Sequence, residues 1–179
     1  MVRLATPGNL RFAQTNALEM TFGGGEANVA VSLAQFGIES SFVTRLPQND
    51  LAQTCINQLR GLGVETLHIQ RGGERMGIYF LETGAAQRAS TVTYDRAHSS
   101  ISTIDPASLN WKEILQNASW FHFTGITPAL SEAAARAVAE GAKAAGLTVS
   151  CDLNFRKKLW TSAKAQEVMS GLMAHVDYC

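Results

Sequence analysis

The sequence predicts an α/β fold in which helices flank a parallel sheet and a small antiparallel β lid is attached. Strand and helix candidates alternate along most of the 179 residues, as they do in parallel sheets covered by helices. Between about residues 67 and 96 the pattern changes to short strand candidates separated by glycine-rich turns. Apolar residues make up 46% of the chain, a proportion typical of globular domains.

The first part of the core is predicted from two helices on either side of a strand. Residues 27–36 are almost all apolar, which predicts a helix that is buried on most sides and ends at Gly37. Asn49 or Asp50 is a suitable N-cap for the second helix. The predicted elements up to residue 66 are a helix over 27–36, a strand over 41–46 and a helix from 49 or 50 to about 60.

The lid is predicted from residues about 9–22, part of which is a strand candidate, and from the segment about 67–96. The strand candidates of the second segment are 67–71, 76–82 and 90–96. On this interpretation residues 23–66 and 97–179 form the α/β core.

The remaining residues return to the alternation of helices and strands. Asp105 and Ser131 are suitable N-caps, and Gly146 is a suitable helix stop. The predicted elements are a helix over 106–117, a strand over 119–124, a helix over 131–145, a strand over 147–151, a helix over 162–173 and a strand from 175.

Composition argues against several classes of function. Fifteen basic and fifteen acidic side chains cancel, which leaves no basic excess for nucleic acid or an anionic membrane surface. No apolar run approaches the roughly 20 residues of a membrane helix, and the first residues lack the apolar region of a signal peptide. The three cysteines have no metal-binding spacing. We therefore expect a cytoplasmic protein without nucleic-acid or membrane partners.

A glycine run indicates a site for a polar small molecule. Gly23, Gly24 and Gly25 precede the first predicted helix, and without a Cβ they let a ligand approach the backbone. The free N–H groups and positive dipole end of that helix point toward the same space. The run matches neither a Walker loop nor a dinucleotide fingerprint, so a glycine-rich turn without a ligand is the alternative.

Asp152, Asn154 and Arg156 form a second polar motif, at the end of a predicted strand. Alternation along an extended segment would place the three side chains on one side. Ligands of open α/β sheets bind beyond the carboxyl ends of the strands. Arg156 offers a planar fork for a carboxylate or phosphate, and Asp152 and Asn154 suit hydroxyls or a magnesium-bound water. An ordinary charged surface loop is the alternative.

Tyr79, Tyr94 and Arg96 are the candidate site residues of the lid. For each residue alone, cross-strand packing or a surface ion pair is the more common role. Together, one phenol on each of two paired strands and an adjacent arginine suit a lid over a polar ligand. Because a buried guanidinium needs an anionic partner, Arg96 and Arg156 favour an anionic ligand over a neutral one.

These motifs resemble a known enzyme family. Residues 23–37 are similar to the N-terminal signature of the ribokinase-like (PfkB) sugar kinases. Four further segments, in the family's order, resemble its 2-keto-3-deoxygluconate kinase branch: 77–82, 94–97, 123–130 and 152–160. The resemblance implies a ribokinase-like α/β fold, with a Rossmann-like parallel sheet and flanking helices, over residues 1–179. It also implies that the chain is truncated at both ends.

The resemblance assigns roles to the residues of the glycine run. Gly24 and Asn28 match positions that contact sugar hydroxyls. Gly23 and Gly25 match the backbone turn that lets the sugar approach.

The resemblance also assigns roles to residues of the lid and of the second motif. Tyr79 and Tyr94 match lid tyrosines that close over the sugar acid, and Arg96 and Arg156 match arginines of the substrate pocket. Arg156 is also a candidate contact to the transferred phosphate. In this branch the lid strands pair between subunits, which implies a homo-oligomer.

The implied reaction transfers the γ-phosphate of magnesium-bound ATP to a hydroxyl of 2-keto-3-deoxygluconate. Asp152 and Asn154 are then candidates for the shell around magnesium and phosphate. The family's catalytic aspartate lies in a Gly-Ala-Gly-Asp-type motif of the C-terminal half, which also carries the nucleotide-binding loops. No such motif occurs in these 179 residues, so we expect no catalytic base here and little activity from this chain alone.

Three alternatives stay open on the sequence. The first is another kinase of the same superfamily, for fructose, ribose or a nucleoside. The second is a non-catalytic module that binds a sugar acid. The third is a fragment without an independent function.

Overall fold

Strands and helices alternate along the chain, with bounds and pairings that differ in part from those predicted. The computed structural model describes residues 1–144 and 146–179. The strands are β1 Val2–Ala5, β2 Glu19–Phe22, β3 Thr44–Leu46, β4 Ile69–Arg71, β5 Ile78–Glu82, β6 Thr91–Asp95, β7 Trp120–Thr124 and β8 Thr148–Asp152. The α-helices are α1 Gly25–Gln35, α2 Asp50–Gly61, α3 Trp111–Ile114, α4 Glu132–Ala144 and α5 Ser162–Met173.

The lid is a four-stranded mixed sheet in the order β2-β1-β5-β6. β1 pairs antiparallel with β2 and parallel with β5, whereas β5 and β6 are antiparallel. The structure differs from the predicted antiparallel lid in this one parallel pairing. The difference arises because Val2–Ala5, which lies before the predicted lid segment, becomes an inner strand of the sheet.

The strand predicted at 67–71 belongs to the core and not to the lid. β4 lies parallel to β3, with Thr44 opposite Ile69, and α2 connects the two strands. α2 begins after Asn49, whose side chain accepts a hydrogen bond from the N–H of Ala52. A short strand after a helix returns beside the preceding strand in a βαβ unit. The sequence pattern alone does not distinguish that arrangement from a hairpin.

The second parallel pair brings two loops to one edge. β7 lies parallel to β8, with Thr124 opposite Asp152 at their carboxyl ends. The strand predicted from residue 175 is reduced to one bridge, between Ser150 and Tyr178. Among the described residues the parallel core strands are hydrogen-bonded as two separate pairs, where the alternation predicts one sheet.

α1 differs from the prediction of a helix that is buried on most sides. Within α1 only Ala30 is buried, and Val29 is 36% exposed. Phe36, directly after the helix, is 80% exposed. α1 therefore covers a core on one side and leaves apolar surface open on the other.

The helix predicted over 106–117 is broken into two short pieces. Pro106–Ser108 forms a 3-10 turn and α3 covers only Trp111–Ile114. Leu109 and Trp111 are both buried in one apolar cluster with residues of α4. The two side chains reach that cluster because the backbone leaves the helical conformation between them.

α4 and α5 have nearly the predicted bounds. α4 begins after Ser131, whose hydroxyl accepts a hydrogen bond from the N–H of Ala134. The last residue of the predicted helix, Ala145, lies outside the described residues. No helix in the described part of the chain is long and apolar enough to cross a bilayer.

Among the described residues the apolar core forms three clusters. In the first, Val2 of the lid packs with Ala30 of α1 and Leu59 of α2. The second packs β7 and β8 against α4 and α5, and the third packs residues around α3 against α4. Because the lid and α1 share the first cluster, their relative position is set by core packing.

We expect iodoacetamide at pH 8 to modify Cys179 in the folded protein and to leave Cys151 unmodified. Cys179 is exposed, whereas burial raises the pKa of the Cys151 thiol to about 12. Because the thiolate is the nucleophile, a thiol with so high a pKa reacts slowly. Peptide mass spectrometry before and after denaturation measures this, and equal native-state modification of both cysteines contradicts the described packing.

Candidate functional site

The glycine turn lies between the end of β2 and the start of α1. Gly24 directly precedes α1 and has a φ of +157°, which residues with side chains rarely adopt. A Cβ at Gly25 would lie 3.2 Å from Cγ2 of Thr124 and 3.8 Å from Nδ2 of Asn154. The turn therefore lies against the carboxyl ends of β7 and β8.

Glu26 holds this contact together, a role that the sequence motifs do not indicate. Its Oε1 accepts hydrogen bonds from the hydroxyls of Thr124, at 2.9 Å, and Thr127, at 2.6 Å. It also accepts one from the backbone N–H of Thr124, at 3.3 Å. Glu26 thus ties the N-terminus of α1 to the end of β7. The available signal was its place beside the three glycines, but a carboxylate in a first helical turn also suits the helix dipole.

Tyr79 and Tyr94 lie opposite each other on β5 and β6. Their ring centroids are 5.9 Å apart, with an angle of 36° between the planes. A Cβ at Gly23 would lie 2.9 Å from the hydroxyl oxygen of Tyr79, so the lid meets the glycine turn directly. Burial raises the pKa of the Tyr79 phenol, which stays protonated and can donate a hydrogen bond at neutral pH.

Arg96 lies beside the two tyrosines. Its Cζ is 4.2 Å from the centroid of the Tyr94 ring, a cation–π distance. Gly77 makes room for it, because a Cβ there would lie 3.1 Å from Cβ of Arg96. Burial lowers the pKa of the Arg96 guanidinium, and the positive charge of Arg156 acts in the same direction. The two arginines are therefore close enough to repel each other.

The segment after β8 is a turn. Asn154 has a φ of +42°, in the left-handed region. The carboxylate of Asp152 accepts hydrogen bonds from the backbone N–H of Asn154, at 3.0 Å, and from its Nδ2, at 3.1 Å. The prediction of an extended segment with three side chains on one side is wrong, because this Asx-type turn bends the chain after Asp152. Asn154 approaches Gly25, and Arg156 is exposed.

We call the space between the glycine turn, the lid tyrosines and the loop after β8 the groove. The predicted site residues lie on these three elements or directly beside them: Gly23, Gly24, Gly25, Asn28, Tyr79, Tyr94, Arg96, Asp152, Asn154 and Arg156. Asn28 is exposed in the first turn of α1 and also lines a cavity of about 90 Å³ behind the glycine turn. This cavity is smaller than the roughly 300 Å³ at which ligand pockets begin.

The groove carries positive charge that the protein itself does not neutralise. In the described part of the chain, no carboxylate lies within 4 Å of Arg96 or Arg156. The neighbouring Asp95 is paired with Arg75 at 2.7 Å, and that contact holds the pKa of the Asp95 carboxyl below its usual range. Both guanidinium groups can therefore bind an anionic ligand.

A complete metal site built from protein ligands alone is not present among the described residues. They contain no group of three or more His, Cys, Asp or Glu side chains that could hold a metal ion. Magnesium commonly takes one or two carboxylates and completes its shell with waters and substrate phosphates. The exposed Asp152 carboxylate has lone pairs left beyond its bonds to Asn154, so it fits contact through a magnesium-bound water.

Comparison with known proteins shows the family to which the chain belongs. The model of the pfkB family of carbohydrate kinases matches residues 7–179. The chain belongs to the pfkB family. The family assignment made from five sequence motifs is thereby confirmed.

This pfkB-family chain has curated relatives that are about twice its length. It is 36% identical over 180 aligned residues to the 2-dehydro-3-deoxygalactonokinase of Haloferax volcanii, an alignment that covers 99% of this chain and 56% of the relative. It is 31% identical over 162 residues to the 2-dehydro-3-deoxygluconokinase of Thermoproteus tenax, covering 89% and 49% of the two chains. The chain thus spans about half the length of the curated relatives it matches.

Crystal structures of family members confirm the predicted fold class. The 2-dehydro-3-deoxygluconokinase of Thermotoga maritima superimposes with a TM-score of 0.97 at 50% identity, over 99% of this chain and 55% of that one. A PfkB family carbohydrate kinase from Listeria grayi superimposes with a TM-score of 0.97 at 36% identity, over 100% and 57% of the two chains. The α/β architecture and its lid are therefore those of ribokinase-like kinases.

Proposed function

We propose that this chain forms the sugar-binding part of an ATP-dependent kinase whose substrate is a 2-keto-3-deoxy sugar acid such as 2-keto-3-deoxygluconate. The names of its relatives in Haloferax volcanii, Thermoproteus tenax and Thermotoga maritima support this substrate class. The observation that carries the proposal is the pair Arg96 and Arg156, which have no carboxylate partner beside the glycine turn. A sugar acid supplies a carboxylate that both can bind, whereas a neutral sugar leaves the half-buried Arg96 charge unpaired.

In this proposal the groove binds the sugar from two sides. The glycine turn at 23–25 lets the sugar approach the backbone, and Asn28 hydrogen-bonds a hydroxyl. Tyr79 and Tyr94 close over the opposite face and exclude water. The lid also provides a surface for a homo-oligomer, because β2 and β6 are sheet edges and Met20 is 46% exposed.

ATP and magnesium belong to the proposal as co-substrate and cofactor. When bound, magnesium-ATP supplies the phosphoryl group and neutralises charge on its oxygens. Arg156 would contact the transferred phosphate, and Asp152 and Asn154 would hold a magnesium-bound water. The base that accepts the sugar hydroxyl proton is expected in the part of the relatives that this chain does not match. We accordingly expect the 179-residue chain alone to turn over little or no ATP.

Calorimetric titration with 2-keto-3-deoxygluconate and with D-fructose tests the proposed substrate class. We expect the wild-type chain to bind the acid, and Arg96→Met to weaken that binding by about tenfold to a hundredfold, because charge-assisted hydrogen bonds are lost. Arg136→Met removes the same charge from the exposed face of α4 and is the matched control. Tighter binding of D-fructose than of the acid would instead favour a kinase for a neutral sugar.

A further inference from the structure

A row of side chains crosses the lid sheet and places Arg3 beside Tyr79. Arg3 lies opposite Thr21 on one side and opposite Tyr79 on the other, and Tyr79 lies opposite Tyr94. Register partners project from the same face of a sheet. The face of the lid that carries the two tyrosines therefore also carries Arg3, which belongs to none of the motifs singled out in the sequence.

Arg3 has no partner within the described part of the protein that would account for its charge. Its Nε is buried and has no hydrogen-bond partner there. No carboxylate among the described residues lies within 4 Å of its guanidinium. A buried donor without an acceptor costs free energy, and such groups are few in folded proteins. A ligand oxygen at this position would satisfy the donor.

The charge of Arg3 acts on the groove. Burial raises the pKa of the Tyr79 phenol, and the positive charge of Arg3 opposes that rise. The Tyr79 hydroxyl in turn lies against Gly23, at the glycine turn. Arg3 is therefore within electrostatic reach of the space assigned to the sugar.

We propose that Arg3 is a specificity-determining residue that binds the carboxylate of the sugar acid together with Arg96. The inference rests on the proposed function and adds a residue to it. Arg3 stands beside Tyr79, and Arg96 lies over the ring of Tyr94, so the two guanidinium groups flank the tyrosine pair. Two such forks favour a carboxylate over a neutral group through charge and paired hydrogen bonds.

This arrangement gives the three arginines different ligands. With Arg3 and Arg96 on the carboxylate, the exposed Arg156 is left for the transferred phosphate. The sugar carboxylate and the transferred phosphate would then bind to different arginines.

Calorimetric titration of the 179-residue chain with 2-keto-3-deoxygluconate tests the role of Arg3. We expect Arg3→Gln to weaken binding by about tenfold to a hundredfold. Arg3→Lys keeps the charge and loses the fork, so it should recover part of that loss. Arg136→Gln, on the exposed face of α4, removes the same charge away from the groove and should bind as the wild type does.

The outcomes separate this inference from the proposed function. Wild-type affinity in Arg3→Gln, or equal weakness of Arg3→Gln and Arg3→Lys, overturns the role of Arg3 and leaves the proposed function standing. Absence of acid binding by the wild type overturns both. Circular dichroism checks the fold of each variant. If Arg3→Gln does not fold, Arg3→Lys decides, because a severalfold loss supports the inference and wild-type affinity overturns it.

Discussion

Gly125→Ala should lower the free energy of unfolding by about 3 kcal/mol, at the upper end of what overpacking costs. A Cβ at this position would overlap the carbonyl oxygen of Leu153, a backbone atom that cannot rotate away. The N–H of Gly125 also donates a hydrogen bond to the carbonyl of Asp152, at 2.8 Å. The strain therefore falls on the joined ends of β7 and β8, where Asn154 approaches the glycine turn. Urea unfolding followed by circular dichroism measures the loss.

Gly171→Ala is the matched control for this substitution. Gly171 lies within α5, and beyond its chain neighbours and its own helix backbone no atom of the described residues lies within 4 Å of the Cβ that alanine would add. Alanine there should stabilise the helix by about 0.5–1 kcal/mol. The close approach of Gly125 to Leu153 would be refuted if both variants unfolded at the wild-type urea concentration.

Glu26→Ala should cost about 2 kcal/mol of stability and also weaken sugar binding. The substitution removes the acceptor of three hydrogen bonds, two from Thr124 and one from Thr127. Hydrogen bonds to a charged group contribute about 1.5–3 kcal/mol each, but water replaces part of this at a half-buried site. Once the contact is lost, the start of α1 and the glycine turn are no longer held against β7.

Two further variants test the role assigned to Glu26. Glu26→Gln keeps one acceptor oxygen and the shape of the side chain, so we expect about half the loss of stability. Glu140→Ala, on the exposed face of α4, should stay within about 0.5 kcal/mol of the wild type. Thermal unfolding measures the effect on stability, and calorimetric titration measures the effect on sugar binding. Equal stability of Glu26→Ala and Glu140→Ala would show that the contact of Glu26 with the two threonines does not stabilise the fold.

Local patterns in the sequence predicted the features that depend on neighbouring residues. The glycine run indicated the turn before α1, because consecutive glycines allow backbone conformations that other residues rarely adopt. The two strand candidates on either side of a glycine-rich turn predicted that one phenol would lie on each of two paired strands, and Tyr79 and Tyr94 do lie opposite each other. The range matched by the family model, residues 7–179, includes these local motifs.

Features that depend on distant pairing were not predicted. Nothing in the residues around Arg3 indicates that it will lie beside Tyr79, because their register is set by the parallel pairing of β1 with β5. The role of Glu26 was missed for the same reason, since the two threonines whose hydroxyls it binds are 98 and 101 residues away in the sequence. The break between Leu109 and Trp111 follows from tertiary packing, which overrides helix propensity.

The pairing of β1 with β5 also has a consequence for the order in which the molecule assembles. Val2 lies opposite Ile78, so the pairing of β1 with β5 must wait until the whole intervening chain has been synthesised. Until then Val2–Ala5 can pair with β2, the other neighbour of β1 in the lid sheet, but one edge of β1 stays open. Amide hydrogens of β1 and β5 should therefore gain protection together, after those of α2, in a pulse-labelled refolding experiment.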